Sequence, residues 1–262
     1  MVTRRLLLAT AALAPAGRVM AAAPAEARAE LAPGGTLRAG LNMRNALLVT
    51  GRTAQGEPDG VAPGMARAIA ARLGVPLRLV LYDSPALLAA AGGTGAWDIG
   101  LVGAEPQRAE RIAFSPAYCE IEATYLVPPG SPITAMDQVD RPGIRIAVSA
   151  GAAYALWLER NLRAATLVPI AGGGGPAFQA FVDQGLEVFA GLRPGLLAEA
   201  ARLPGARILD GQFAAVQQAI GTARGNLAGA AFLRDFVAEA KSSGLVAALI
   251  ERHQVRGLSV AA

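Results

Sequence analysis

The sequence predicts an α/β fold built from two lobes. Segments typical of strands alternate with segments typical of helices, and this alternation starts over in the middle of the chain. Between the two runs lies Pro128-Pro129-Gly130-Ser131-Pro132, the strongest linker signal after the first thirty residues. At 262 residues, 53% of them hydrophobic, the chain is long enough to fill the core of each lobe.

The first lobe is predicted from a series of three strands joined through helices. Pro33-Gly34-Gly35, which interrupts regular secondary structure, precedes the first of these strands. One of the helices has an apolar residue at every fourth position from Val61 to Leu73. Strands joined in this way are parallel, with a right-handed crossover. The predicted strands are 36–41, 75–82 and 97–102, and the predicted helices are 61–73 and 85–91.

The second lobe follows the same order of elements. Its predicted strands are 144–148, 166–170 and 186–190, and its predicted helices are 154–162 and 176–184. A further strand at 215–223 leads into two helices that close the chain, at 226–240 and 245–253, with Asn226 suited to the N-cap of the first of them.

The first 29 residues are predicted to be an export signal. Thr3-Arg4-Arg5 precedes an apolar run, 6–14, and the Ala-rich stretch 21–29 offers several small-x-small cleavage points. The paired arginines are typical of a twin-arginine signal and also occur in ordinary secretory signals. No later segment has about 18 uninterrupted apolar residues, so we expect an exported protein without a membrane span.

Composition excludes several classes of site. The net charge is +4, but Lys241 is the only lysine and no basic cluster with interleaved aromatics is present, so we expect no nucleic-acid partner. One cysteine, Cys119, and one histidine provide no disulfide and no zinc constellation. We expect no metal and no cofactor, and we interpret Cys119 as a buried, unreactive thiol.

Residues 95–118 contain the most informative motif. Gly95-x-Trp97-Asp98-Ile99 is followed by Glu105-Pro106-x-Arg108 and by Phe114-Ser115-x-x-Tyr118. This order resembles the core pattern of the family 3 periplasmic solute-binding proteins, the amino-acid-binding class that serves ABC importers. The opening strand, Gly35-Thr36-Leu37-Arg38-x-Gly40, matches the same family. The resemblance extends from Gly35 to about Leu258.

The resemblance implies a two-lobed type II periplasmic binding protein fold, in which each lobe is a mixed sheet flanked by helices and two strands form the hinge. It implies that residues 33–126 together with 219–262 form lobe 1, and that 127–218 form lobe 2. The expected function is to bind a small carboxylate-bearing solute in the cleft of a monomeric periplasmic protein and to deliver it to an ABC permease.

The candidate ligand-binding residues lie where predicted strands end. Arg108 is expected in the first turn of a helix just beyond the third strand, and in the family an Arg at this place grips the ligand carboxylate. The other candidates are small or polar residues at the ends of neighbouring strands: Asn42, Tyr82, Gly103, Ala104, Gly151 and Ala152.

Several family features are absent from this sequence. The loop 42–60 has no aromatic residue, Gly103, Ala104 and Ala152 replace hydroxyl-bearing residues, and no Asp follows Gly185 to pair with an α-ammonium group. A small organic acid fits these losses better than an α-amino acid. Asp98 and Glu187 are interpreted as structural carboxylates, with a catalytic role for the first and a ligand contact for the second as alternatives.

Two other functions remain open. The first is an enzyme on the same scaffold that resembles cyclohexadienyl dehydratase, with Glu105 as the acid that protonates a leaving hydroxyl. The second is a sensor or accessory subunit that contacts another periplasmic protein. The turns that face the cleft contain no His, Cys or paired carboxylates, so we expect a binding protein without catalytic residues.

Overall fold

The computed structural model describes residues 23–262, so most of the predicted export signal lies outside the described residues. The strands are β1 Leu37–Asn42, β2 Gly51–Arg52, β3 Pro58–Asp59, β4 Leu77–Tyr82, β5 Ile99–Gly103, β6 Ile112–Phe114, β7 Cys119–Val127, β8 Arg145–Ser149, β9 Thr166–Ile170, β10 Val188–Leu192, β11 Arg207–Ile208, β12 Ala214–Ala223 and β13 Leu258–Val260. The helices are α1 Ala25–Leu31, α2 Val61–Leu73, α3 Pro85–Ala90, α4 Ala153–Asn161, α5 Gly174–Asp183, α6 Arg193–Arg202, α7 Leu227–Ser242 and α8 Leu245–Arg252.

The first lobe contains the parallel strands that the sequence predicts. Strand β1 pairs in parallel with β4 on one side and with β5 on the other, and β12 joins β5 in the antiparallel direction. The sheet is therefore mixed. Its core lies between the sheet and helices α1, α2, α7 and α8, where the apolar residues spaced every four positions along α2 are buried.

The second lobe repeats this arrangement. Strand β8 pairs in parallel with β9 and with β10, and β7 joins β10 in the antiparallel direction. Two groups of buried apolar residues pack on the faces of this sheet, one against α4 and the other against α5 and α6. Each lobe is thus a mixed sheet flanked by helices.

Two long strands run from one lobe into the other. The first part of β7 pairs with β12 and β13, whereas its last part pairs with β10 and β11. Strand β12 pairs with β7 at its start and with β5 and β6 at its end. This is the two-strand connection expected of the predicted fold class, which is confirmed. The predicted lobe boundaries, 126/127 and 218/219, fall within these strands.

Some predicted elements differ from the structure. Helix α5 begins at Gly174, inside the glycine run that the sequence suggests is a loop. Asn226 stands at the N-cap position of α7, but its side chain does not cap the helix and instead donates to Thr222 Oγ1 at 2.9 Å. Helix α6, strand β13 and the short β2–β3 hairpin within the predicted loop 42–60 have no counterpart in the sequence-based prediction.

Helix α1 occupies part of the predicted export signal. Ala27 and Leu31 are fully buried against the first lobe, and Glu30 accepts a hydrogen bond of 2.7 Å from the backbone N–H of Gly229 in α7. The segment from Ala25 onward therefore contributes to the first core. Within residues 23–262, no helix combines the length and apolarity that a membrane crossing requires.

Candidate ligand-binding site

A cavity of about 420 Å³ lies between the two lobes. The first lobe contributes the loop after β1 and the end of β5, and the second contributes the start of α4, the start of α5 and the end of β10. Most of the lining side chains are aliphatic. The polar ones are Asn42, Arg44, Asn45, Arg108, Ser149, Tyr154, Glu199 and Gln218.

Arg108 reaches across this cavity from the first lobe to the second. Its Nη1 donates to the Gly103 carbonyl oxygen at 2.6 Å, and its Nη2 donates to the Gly151 carbonyl oxygen at 2.8 Å. The residue is 7% exposed. The predicted helix start is wrong at this point, because Arg108 begins a 3-10 turn of only three residues, Arg108–Glu110, which provides no helix dipole for the ligand.

The charge of Arg108 is not neutralised by an ion pair with any residue in the range 23–262. Burial lowers the pKa of its guanidinium to about 10, because the charged form loses hydration, and the nearby Glu105 acts in the opposite direction. Arg108 therefore remains a cation at neutral pH in a largely apolar cavity. A buried cation in this situation is stabilised by an anionic partner.

Glu105 is committed to a different arginine. Its carboxylate forms an ion pair with Arg160 of α4, whose Nη1 also contacts Gln107 Oε1 at 3.2 Å. Glu105 belongs to the first lobe and Arg160 to the second, so this pair joins the lobes. Glu105 is 9% exposed and is not among the residues that line the cavity.

The other predicted site residues divide into two groups. Asn42, Gly103 and Ala152 line the cavity together with Arg108. The second group, Gly151, Ala104 and Tyr82, is not part of the lining, although the Gly151 carbonyl accepts from Arg108. Ala104 and Tyr82 do not line the cavity: the backbone N–H of Ala104 donates to Gln217, and Tyr82 packs in the small core around Trp97. Both residues stand at the end of a strand, but their side chains do not reach the cavity.

Two hydroxyl groups that the sequence-based analysis missed lie on the second-lobe side. Ser149 ends β8 and Tyr154 follows in the first turn of α4; both are buried and both line the cavity. Burial raises the pKa of the Tyr154 hydroxyl to about 12, and hydrogen bonds with Ser149 partly offset this. These hydroxyls provide polar groups on the second-lobe side of the cavity, where Ala152 replaces a hydroxyl-bearing residue of the family pattern.

The end of β10 has no carboxylate. Leu192 is its last residue and lines the cavity. Glu199 is the one acidic residue among the described lining residues, and its carboxylate pairs with Arg202 at 2.6 Å within α6. The cavity therefore contains no uncommitted negative group opposite Arg108.

Asp98 and Glu187 are both structural. Asp98 Oδ2 accepts from the backbone N–H and Nε of Arg38 at 2.8 and 3.0 Å, and Oδ1 accepts from Nη2 at 2.6 Å. Glu187 accepts the same three bonds from Arg145, at 2.8, 3.0 and 2.7 Å. Neither carboxylate lines the cavity.

Two further polar side chains that were not among the predicted site residues line the cavity, one in the loop after β1 and one in the connecting strand β12. Arg44 is exposed and stands in the loop where the family usually places an aromatic residue; its Cβ lies near Gly173 of the second lobe. Gln218 is 4% exposed and lies in β12. The signal for Gln218 was available, because Gln217-Gln218 interrupts an otherwise apolar strand.

The part of the chain that the structure describes contains no group of three His, Cys, Asp or Glu side chains placed to hold a metal ion. The thiol of Cys119 is buried, and burial raises its pKa, as expected for an unreactive thiol.

Comparison with known proteins identifies the family. Solved structures with the same fold include an ancestral amino-acid-binding protein that is a precursor of cyclohexadienyl dehydratase (21% identity, 86% of this chain and 98% of that chain, TM-score 0.69). They also include a mutant of ArgBP from T. maritima (21%, 87% and 99%, 0.70) and the solute receptor for L-cysteine of Neisseria gonorrhoeae (22%, 88% and 95%, 0.72). A search of curated protein sequences gives no match. The model of the bacterial extracellular solute-binding proteins, family 3, matches residues 40–255, and the chain belongs to this family.

Proposed function

We propose that the chain binds a small carboxylate-bearing solute, an amino acid or an organic acid, in the cavity between its lobes. The observation that supports this most strongly is Arg108, which is buried, lines the cavity and has no ion-pair partner in the described part of the chain. A guanidinium presents a planar set of N–H donors that matches carboxylate geometry. Donors beyond the two used for Gly103 and Gly151 remain for the ligand.

The same cavity provides a reason for closure on binding. Arg108 contacts a carbonyl of each lobe, so a carboxylate held by its remaining donors is enclosed by both lobes. Hinge closure around a ligand is the usual motion of two-lobed binding proteins, and strands β7 and β12 are the connection about which it would occur.

We further propose that the protein is a periplasmic monomer that delivers its ligand to an ABC permease in the inner membrane. Family membership supports this role. Because α1 is packed in the first core, we place the cleavage of the export signal before Ala25. Sequencing the amino terminus of the exported protein tests this placement, and a mature chain that starts after Leu31 would contradict it.

The ion pair of Glu105 with Arg160 offers no support for an acid role of Glu105, because its carboxylate is held by a cation and lies away from the cavity lining. Turnover of prephenate or arogenate by the purified protein would restore the enzyme hypothesis. Capture of a periplasmic protein partner, together with ligand screens in which no compound binds, would favour the sensor or accessory-subunit hypothesis.

A thermal-shift screen of the mature protein tests the proposed function. Organic acids, amino acids, neutral sugars and simple cations are compared at equal concentration, because a ligand that binds only the folded state raises the unfolding midpoint. We expect carboxylates alone to raise it. A shift produced only by sugars or by cations would contradict the proposal.

A further inference from the structure

The Gln218 side chain is a buried polar group without a protein partner. It is 4% exposed, it lines the cavity, and its carboxamide forms no hydrogen bond with any residue in the range 23–262. The carboxamide atoms keep access to the cavity, so they are available to a bound ligand. Its neighbour in sequence, Gln217, is satisfied, since its Nε2 donates to Glu120 Oε2 at 2.7 Å.

Strand register places Gln218 beside Arg108. Gln218 lies directly opposite Gly103 in the antiparallel pair of β12 with β5, and residues opposite each other present their side chains to the same face. A Cβ atom built on Gly103 would lie 3.5 Å from Arg108 Nη1 and 3.3 Å from Val216 Cγ1. Val216 is two residues before Gln218, so it shares this face, and it also lines the cavity.

The backbone carbonyl of Gly103 accepts from Arg108 Nη1, and Gln218 stands opposite the same glycine. The guanidinium of Arg108 and the carboxamide of Gln218 therefore act on one region of the cavity. A ligand that places its carboxylate at Arg108 brings the adjacent carbon and its substituent toward Gln218.

The charge around this region disfavours an ammonium group as that substituent. Leu192 ends β10 without a carboxylate, and the one acidic residue of the described lining, Glu199, already pairs with Arg202. Burying an ammonium group without a counter-charge is costly, and a neutral carboxamide cannot compensate it in an apolar cavity. A hydroxyl or a carbonyl oxygen, in contrast, satisfies the carboxamide without adding charge, because the carboxamide both donates and accepts.

On the basis of the proposed function, we propose that the ligand is a 2-hydroxy or 2-keto acid, and that Gln218 is the residue that recognises its neutral oxygen. The rest of the ligand is mainly apolar, since aliphatic side chains predominate in the remaining lining, among them Leu47, Leu48, Val102, Leu196 and Val216. Gln218 is thus a specificity-determining residue, while Arg108 provides the affinity for the carboxylate.

Calorimetry with matched ligands tests this inference on the mature protein. Each set keeps one carbon skeleton and changes only the group beside the carboxylate: leucine, its hydroxy acid, its keto acid and isocaproate; alanine, lactate, pyruvate and propionate; phenylalanine, phenyllactate, phenylpyruvate and phenylpropionate. On the skeleton that fits, we expect the hydroxy or keto acid to bind at least about tenfold more tightly than the amino acid and the unsubstituted acid.

Substitution of the two neighbouring glutamines assigns the preference to one residue. In Gln218→Leu, the hydroxy and keto acids should bind within about twofold of the unsubstituted acid, because only the contact with the neutral oxygen is lost. The matched control, Gln217→Leu, alters the side chain that contacts Glu120 and should keep the wild-type preference. Unfolding midpoints of both variants show whether each is folded.

The outcomes separate this inference from the proposed function. Tightest binding of the amino acid, or equal binding of the substituted and unsubstituted acids, overturns the role of Gln218 and leaves carboxylate binding intact. Equal binding is also the result expected if Gln218 contacts only a trapped water molecule. Failure of every carboxylate on every skeleton overturns both proposals.

Discussion

Each lobe contains an equivalent ion pair between an arginine and a carboxylate, but the two pairs are buried to different extents. In the first lobe the Asp98 carboxylate accepts the backbone N–H and two guanidinium bonds of Arg38, and Arg38 Nη1 reaches the Gly95 carbonyl at 2.7 Å. In the second lobe Glu187 holds Arg145 in the same way, and Arg145 Nη2 reaches the Gly185 carbonyl at 2.8 Å.

The difference lies in the surroundings. The Asp98 side chain is 4% exposed, whereas that of Glu187 is 32% exposed and Arg145 is 45% exposed. In the first lobe Trp97 precedes Asp98; its indole Nε1 donates to the Leu88 carbonyl at 3.1 Å, and its ring covers Gly100. The second lobe has no tryptophan at the equivalent place, since Leu186 precedes Glu187.

The strand ends that face the cavity differ more than these ion pairs. The first lobe supplies a buried cation, Arg108, and the connecting strand β12 supplies the carboxamide of Gln218. The second lobe supplies aliphatic side chains, two hydroxyls and the Gly151 carbonyl. The repeated carboxylates therefore belong to the scaffold of each lobe, whereas the recognition groups Arg108 and Gln218 lie just after β5 and in the connecting strand β12.

The largest expected effect on stability comes from removing the buried carboxylate. Asp98→Ala leaves the bonds of the partly exposed Arg38 unmade beside a buried position and should lower the free energy of unfolding by about 2 kcal/mol. The matched change in the second lobe, Glu187→Ala, should lower it by about 1 kcal/mol or less, because the pair is solvent-screened. Denaturant unfolding measures both, and equal losses would contradict the comparison.

A methyl group at the end of β5 should hinder closure. In Gly103→Ala the new Cβ would lie 2.8 Å from the Cβ of Ala153 in the second lobe, so the lobes must move apart. We expect ligand affinity to fall about tenfold with little change in stability. In the control, Gly64→Ala, the new atom meets the flexible end of Leu249 within the first lobe and outside the cavity lining, and affinity should change by less than about threefold. The affinity of both variants is measured by calorimetry with the acid that binds most tightly in the screen. Equal losses of affinity in both variants would exclude an effect on closure.

The ion pair that joins the lobes should have a smaller effect. Arg160→Met removes the contacts with Glu105 and Gln107, and we expect a two- to fivefold loss of affinity at low salt, equivalent to about 0.5–1 kcal/mol. The loss should shrink as salt is raised, because the pair is partly exposed. Arg67→Met, which breaks the pair with Asp59 inside the first lobe, is the control and should leave affinity unchanged. Identical titrations for wild type and Arg160→Met at low salt would show that the pair does not support closure.

The smallest effect is the pH dependence of the second-lobe pair. Hydrogen bonds from Arg145 lower the pKa of the Glu187 carboxyl below its ordinary value of 4.5. A carboxyl whose pKa is lowered by folding contributes stability above its unfolded pKa, and the contribution is lost as the pH falls through the folded pKa. The stability difference between wild type and Glu187→Gln should therefore be constant near neutral pH and decrease below about pH 4.5. A difference that grows on acidification would contradict the assignment.

The sequence predicts most of the scaffold because regular patterns specify it. The four-residue spacing of Val61, Met65, Ile69 and Leu73 yields a helix with those bounds, and Ser84 caps α3 by accepting from the Leu87 N–H at 3.1 Å. Helix α6 was missed because Arg193-Pro194-Gly195 at its start is typical of a turn, although proline is well tolerated in a first helical turn.

The site is predicted less completely, because long-range pairing determines which strand ends face the cavity. Sequence order places Arg108 near the end of β5, but only the register of β12 against β5 brings Gln218 beside it. Tyr82 has the same kind of position as Asn42, yet it packs around Trp97 because β4 is at the edge of the sheet. Such differences depend on contacts between residues far apart in the chain.

Arg108 anchors the ligand carboxylate in the proposed function, and a titration of three proteins tests this role. Binding of the tightest acid is measured calorimetrically to wild type, Arg108→Met and Arg160→Met, with unfolding midpoints to confirm that each variant is folded. We expect Arg108→Met to lose about 2–5 kcal/mol of binding free energy, whereas Arg160→Met loses no more than about 1 kcal/mol. Binding by Arg108→Met that equals that of Arg160→Met or of the wild type would contradict this role.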